Sequence, residues 1–277
     1  MKKTTRGATL LILAVACAAD GRGPAARATV TSASTAPVVS AAPAVSVEPT
    51  PTPKPPLAEL IDKTLTETEA AWLAHDGKKL AAAYATDLEL RVTLPTDAWS
   101  PLKKSTVEGQ LAQLFAAVAD ARLTTTRTLR KGNVVAAEGY FTGSTGGKKV
   151  GCPVVSLSWF DDGGLVKTQH VAFDAGTILG QLGKGGPKAK VRPVEPIPTA
   201  PIVNVIAGAA PDEARNADAV KAHYASNPSA KTWSVGEPWG VGSFVVTEIS
   251  VGSVHGVDVF ELQDGKVKVS TSYGPPR

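Results

Sequence analysis

No stretch of this sequence carries the spacing of a familiar catalytic or metal-binding motif, and that absence narrows the reading first. There is no His-Glu-x-x-His and no Cys-x-x-Cys. The four histidines, His75, His170, His223 and His255, are scattered without ligand spacing, so no metal site is expected. Lys184 follows Gly183, but Gly185 stands where a phosphate-binding loop needs Ser or Thr, and Ile178 where it needs Gly. Gly252-Ser253-Val254-His255-Gly256 has no serine at its centre, which excludes a nucleophile elbow there. None of these segments implies a cofactor. Cysteine is scarce: Cys17 and Cys152 are the two. Cys152 belongs to no nucleophile motif and reads as a small packing residue. The apolar run Ala8–Ala16 falls short of the about 20 residues that span a bilayer.

That run has a different use. Lys2, Lys3 and Arg6 precede it and small residues follow it, just before Cys17. A charged stretch, a short apolar stretch and a small-residue cleavage site make residues 1–16 a removable export signal. Leu13-Ala14-Val15-Ala16-Cys17 resembles a bacterial lipobox, with Ala14 where that pattern prefers Leu. The resemblance implies lipid attachment at Cys17, and a diacylated cysteine anchors stably where one chain would not. Ordinary secretory cleavage is the alternative and would leave the protein periplasmic or extracellular. Ala18 differs from the Asp that holds some lipoproteins at the inner membrane. The expected location is therefore the cell envelope, tethered to the outer membrane in preference to the inner. A lipidated Cys17 leaves Cys152 without a disulfide partner, although export would permit one.

The formal charge of +4 is not a nucleic-acid footprint. Three of the 29 basic residues lie in the leader, and the rest nearly balance the 25 acidic ones. No nucleic-acid partner is expected from a near-neutral surface.

Residues 17–56 form the lipid-attachment site and a tether rich in Ala, Pro, Ser and Thr. It ends in Glu48-Pro49-Thr50-Pro51-Thr52-Pro53-Lys54-Pro55-Pro56, a composition that favours extended, semi-rigid chain. Leu57–His75 reads as a helix, with Leu57, Leu60, Ile61, Leu65 and Trp72 near one face. Asp76-Gly77 breaks it, and Lys78–Ala85 is a second short helix. Leu88–Leu94 alternates as a strand. Ser105–Val118 is a third helix, for which Ser105 and Glu108 make a capping box. Strands follow at 122–130, 134–144, 154–160 and 165–173, the last two joined through Asp161-Asp162-Gly163-Gly164. Asp174 opens a short helix over 175–182, and Gly183 sits at its left-handed cap position. Helices first and then antiparallel strands predict an α+β fold.

Two segments carry a family resemblance. Trp72–Leu90 (WLAHDGKKLAAAYATDLEL) is similar to the opening of SnoaL-like domains in the NTF2-like superfamily, where two helices broken by Asp-Gly lead into the first strand. Residues 155–183 resemble the closing hairpin and the final Asp-x-x-x-Leu-x-x-Gln-Leu-Gly helix of those domains, with Ile178 at the Leu place. The resemblance covers 57–183 and implies a cone, a bent antiparallel sheet wrapped on helices. Residues 184–201 form a Pro/Gly linker. Residues 202–277 repeat the helix-then-strands order in shortened form, with a helix at 216–225 and strands at 231–237, 243–251, 254–262 and 267–273. They read as a degenerate NTF2-like module, or else as an unrelated small β-rich domain. At about 75 residues that module is small for its own core, so it is expected to pack on the first, sheet to sheet.

The resemblance also implies chemistry. SnoaL-like cyclases and related isomerases bind a flat apolar ligand in the cone, where a buried carboxylate or histidine moves a proton beside a carbonyl. The matching positions are His170 and Asp174. Four residues along a strand is about 13 Å, too far for a hydrogen-bonded pair, and Asp174 also suits a helix cap. Trp72, Tyr84, Trp99, Tyr140 and Trp159 are the pocket-lining candidates, each equally at home in a core. Glu138 and Tyr140 lie on the opposite strand face from Phe141, and Arg127, among threonines, reads as a solvated strand residue. Two functions follow. One is a membrane-tethered binding or assembly module, with the cone taking an apolar small molecule or the sheet taking a protein partner or a second copy. The other is a cyclase or isomerase acting on a polyketide- or steroid-like carbonyl compound by general acid/base catalysis.

Overall fold

A computed structural model describes residues 55–92, 100–101, 103–183, 193–194, 203–208, 211–252 and 254–274. The expected signal, the lipid site Cys17 and the pocket candidate Trp99 lie outside the described residues.

The chain opens with α1 (Leu57–Leu73) and α2 (Gly77–Ala82). His75 ends the first helix in the left-handed region at φ 53°. Its Nε2 bonds the Ala121 carbonyl at 2.7 Å and its ring stacks on Phe115, which holds that conformation. Asp76 then accepts a hydrogen bond from the Lys79 amide at 3.0 Å and caps α2. The strand β1 (Tyr84–Val92), the two-residue β2 (Ser100–Pro101) and α3 (Lys104–Ala117) follow. The expected capping box is not formed. Lys103 holds the cap position of α3 without a side-chain bond, which places Ser105 two residues past the cap, inside the first turn of the helix.

Four long strands complete the first sheet: β3 (Arg122–Lys131), β4 (Val134–Thr145), β5 (Lys148–Phe160) and β6 (Val166–Phe173). β5 starts six residues before the alternation predicts. Gly151 and Pro153 obscure the pattern there, yet the segment pairs with β4 back to Thr145↔Lys148. The strand order is β2-β1-β6-β5-β4-β3, with one more strand, β7 (Val203–Ile206), beyond β3; β1 is parallel to β6 and the four long strands are antiparallel in turn. The register shift between Thr125 and Arg127 bends β3 over Gly139. A Cβ on Gly139 would lie 2.6 Å from the Thr124 carbonyl oxygen, so only glycine permits that approach. Gly164, at φ 75°, lets the β5–β6 turn press on Leu60 and accept a 2.7 Å bond from Thr64 Oγ1.

The seventh strand is a surprise of the sequence. β7 (Val203–Ile206) pairs parallel with β3, Arg127↔Val203 through Arg130↔Ile206. These residues, expected with the second module, extend the first sheet. The second module proper holds α5 (Pro211–Ser226), a 3₁₀ turn, β8 (Ser234–Val235), β9 (Trp239–Val241), β10 (Phe244–Val251), β11 (Val254–Gln263) and β12 (Lys266–Tyr273). Its sheet runs β12-β11-β10-β8, with β9 also on β10. Asp264 and Gly265, both at positive φ, make the two-residue turn between β11 and β12.

Three apolar layers result, because each strand alternates its faces. Val135, Phe141, Val154, Phe160 and Phe173 face α1, α2, α3 and the short α4 (Ala175–Gln181). Leu129, Ala136, Val155, Leu157 and Ala172 face the other way and meet Val241, Val246, Val257, Val259 and Tyr273 of the second sheet. Val245, Ile249, Phe260 and Leu262 turn to α5. The two modules therefore pack sheet to sheet, each with its helices on the outside.

Candidate functional site

Between the helices and the concave face of the first sheet lies a cavity of about 570 Å³. Its walls are apolar for the most part, with Leu80, Leu111, Leu114, Phe141, Val154 and Phe173 among them. The inward positions of β5 alternate Val154, Ser156, Ser158 and Phe160, so two hydroxyls interrupt the apolar wall. The register shift in β3 brings Thr125, Thr128 and Arg130 to the same lining.

The polar groups of the cavity form a chain. Tyr84 donates its hydroxyl proton to Gln169 Oε1 at 3.0 Å, and Gln169 Nε2 donates to Ser158 Oγ at 3.0 Å. Every member is neutral. Burial pushes the Tyr84 hydroxyl up to about 12, so it stays protonated and serves as a donor. A half-buried amide that accepts from one side and donates to the other satisfies both partners, which is what keeps such a chain in an apolar wall.

Charge is confined to the rim. Arg130 Nη1 donates to Asp62 Oδ1 at 2.7 Å and to the Ala58 carbonyl at 3.3 Å, tying β3 to α1. Glu69, also on the rim, is exposed. Glu138 borders the cavity through its backbone strand, but its carboxylate accepts from Arg127 and Tyr273 on the opposite face.

The candidate residues separate accordingly. Trp72 and Tyr84 line the cavity. His170 is buried on the reverse face of β6. Its Nδ1 pairs with Glu248 of the second sheet, and its ring lies 4.9 Å from that of Trp159. Trp159 packs into the inter-sheet layer. Tyr140 is buried at the same strand phase as Ala136 and Glu138, away from the cavity. Asp174 accepts from the Thr177 amide at 3.1 Å and from its hydroxyl at 2.6 Å, capping α4. The structure thus brings neither His170 nor Asp174 into the cone: His170 points to the second sheet from β6, and Asp174, just past the end of β6, is taken up in capping α4. Arg127 is not a solvated strand residue either: it pairs with Glu138, and its guanidinium carbon lies 4.4 Å from the Phe244 ring centroid. Burial, with the Asp174 charge behind it, pushes the Cys152 thiol up to about 12, which makes it inert at neutral pH.

Gln169, Ser156, Ser158, Thr125, Thr128, Arg130 and Asn204 belong to the cavity and were not singled out by sequence. Serines at alternate places in an otherwise apolar strand were the available signal for Ser156 and Ser158. Asn204 depended on β7, which no pattern announced. Among the described residues no cluster of three His, Cys, Asp or Glu side chains could hold a metal, and no helix is long and apolar enough to cross a membrane.

Residues 65–168 match the SnoaL-like domain family. That match lies within the first module, which is α+β and of NTF2-like fold, and a second sheet module follows it. No curated protein sequence matches the chain. Among solved structures, a protein of ketosteroid isomerase-like fold from Catenulispora acidiphila, in complex with trimethylamine, is similar at 20% identity and a TM-score of 0.39. The alignment covers 44% of this chain and 92% of that one. IdmH of Streptomyces antibioticus, a proposed polyketide cyclase, is similar at 18% identity and a TM-score of 0.39, over 44% of this chain and 97% of its own. An NTF2-like protein of unknown function from Burkholderia pseudomallei gives 16% identity and a TM-score of 0.40, over 44% and 97%.

Proposed function

We propose that this is an exported, lipid-tethered binding protein whose cone takes an apolar small molecule carrying one hydrogen-bonding group. The observation that carries the reading is the pairing of a 570 Å³ apolar cavity with the neutral Tyr84–Gln169–Ser158 chain. A cavity of that size lies within the range of small-molecule sites, which combine apolar walls with few fixed polar groups. The general acid/base reading has less support. His170 and Asp174, the groups it needs, are engaged by Glu248 and Thr177 outside the cone. Assembly through the outer face of the first sheet also has less support, since the second sheet occupies that face within the chain. The export signal and the Cys17 lipid site rest on the sequence alone.

The test is native mass spectrometry of the mature chain purified from its own host, beside an Ala137→Phe variant. Ala137 lines the cavity, and a phenyl ring there fills it. A co-purified small molecule present in the wild type and absent from the variant is the expected result. A wild-type cone that carries nothing and takes up no apolar compound on addition overturns the reading.

A further inference from the structure

The polar chain lies in the wall of the cone, whereas the one cation among its described lining residues sits at the rim. Arg130 closes the inward row of β3, and its side chain is 12% exposed. It is therefore set into the wall and not waving in solvent. Its partner is different. The Asp62 side chain is 64% exposed on α1, so its grip on Arg130 is that of a surface pair, worth little. Both recorded bonds of Arg130 leave from a single nitrogen, Nη1. A guanidinium offers five donors in a planar fork suited to a two-oxygen anion. Two residues back along β3, Thr128 Oγ1 donates to Asn204 Oδ1, and the pair continues the polar rim across to β7. An apolar chamber with a half-sunk cation at its lip matches a molecule with an apolar body and an anionic end.

Building on the cone-binding reading above, we propose that the ligand is an amphipathic carboxylate: its hydrocarbon body fills the cone and its carboxylate pairs with Arg130, replacing Asp62. Asp62 is then a placeholder that keeps the guanidinium partnered in the empty protein and swings to solvent when the ligand enters. Glu69, the other rim acid, lies on the same helix and is exposed, where water screens its repulsion.

Isothermal titration of the mature chain with decanoate and with decanamide, which is isosteric but uncharged, tests this at neutral pH. The wild type should bind decanoate about tenfold more tightly than decanamide, the size of a charge-assisted hydrogen bond in a half-buried site. Arg130→Gln should erase that preference and leave decanamide affinity unchanged, which also shows that the variant cone is folded. Asp62→Asn, which removes the competing carboxylate, should raise decanoate affinity about threefold. Equal affinities for the two compounds in the wild type, or a preference that survives Arg130→Gln, overturns the head-group assignment while the cone reading stands. Binding of neither compound, with the Ala137→Phe variant indistinguishable from wild type, overturns both.

Discussion

Tyr273, the last residue of β12, donates its hydroxyl proton to Glu138 Oε1 on β4 at 2.6 Å, across the seam between the two sheets and 135 residues along the chain. Arg127 holds the other oxygen of the same carboxylate. Burial, and then the Glu138 charge, hold the tyrosine hydroxyl well above its usual range. Glu138 is 2% exposed, so this one carboxylate organises the polar centre of an otherwise apolar interface.

Removing that carboxylate should be costly. Glu138→Leu leaves the Arg127 guanidinium half-buried without its anion and strips Tyr273 of its acceptor. Breaking one side of a buried pair costs about 3 kcal/mol or more. The double variant Glu138→Leu/Arg127→Leu should recover much of the loss, because no charge is then stranded. Urea denaturation of the three proteins checks the order of stabilities.

Alkaline pH should unfold the protein through its tyrosines. Tyr84 titrates near 10 in the unfolded chain and at about 12 in the fold, raised by burial. A group raised on folding contributes stability that is complete below pH 10 and is lost as pH climbs toward 12. Tyr273 is raised as well and acts in the same sense. Melting temperatures of Tyr84→Phe and Tyr273→Phe, followed across that range, should each fall less steeply than those of the wild type.

Asp174 and His170 should matter to stability and not to the cone. Asp174→Ala removes the cap of α4 and should cost about 1 kcal/mol. His170→Gln should loosen the contact with Glu248 and lower the melting temperature. Neither should shift the affinity of a cone ligand by more than about twofold. A large loss of binding in either variant would contradict the placement of these side chains.

Gln169→Leu should change what the cone prefers. The substitution breaks the Tyr84–Gln169–Ser158 chain and leaves the buried Tyr84 hydroxyl without its acceptor, at a cost of about 1–3 kcal/mol. A probe with a hydroxyl at its buried end should lose about tenfold in affinity, while a purely hydrocarbon probe should bind as before or better. Paired titrations of wild type and variant with the two compounds check this.

The order of elements in the first module was legible because its punctuation is local. Asp76-Gly77, Asp161–Gly164 and Asp174…Gly183 each stop or start an element by backbone chemistry that a sequence displays. The sheet-to-sheet packing followed from the small size of the second module. What was hidden is phase. His170 and Gln169 are neighbours, and a strand sends one to the second sheet and the other to the cavity. Histidine draws the eye, but the alternation of β6 turns its neighbour Gln169 inward and His170 toward the second sheet. Arg127 was misread for the same reason: a threonine-rich strand looks solvated until a second sheet covers it. β7 had no signal at all, since four residues of alternating Val and Asn or Ile after a proline-rich stretch are too few to show a period.

That short strand, β7, has a practical meaning for anyone who divides the gene. The proline-rich stretch around 184–201 invites a cut, with one half expressed up to Gly183 and the other from Ile202. Such a cut hands Val203–Ile206 to the wrong fragment. The shortened fragment would keep β3 with its Arg127–Arg130 edge bare, and lose Asn204 and Ile206 from the lip of its chamber. A bare strand edge recruits other chains. Fragments made that way would be sticky and poor binders for a reason unrelated to the native protein, and a fragment that runs through Gly208 would carry its own edge strand with it.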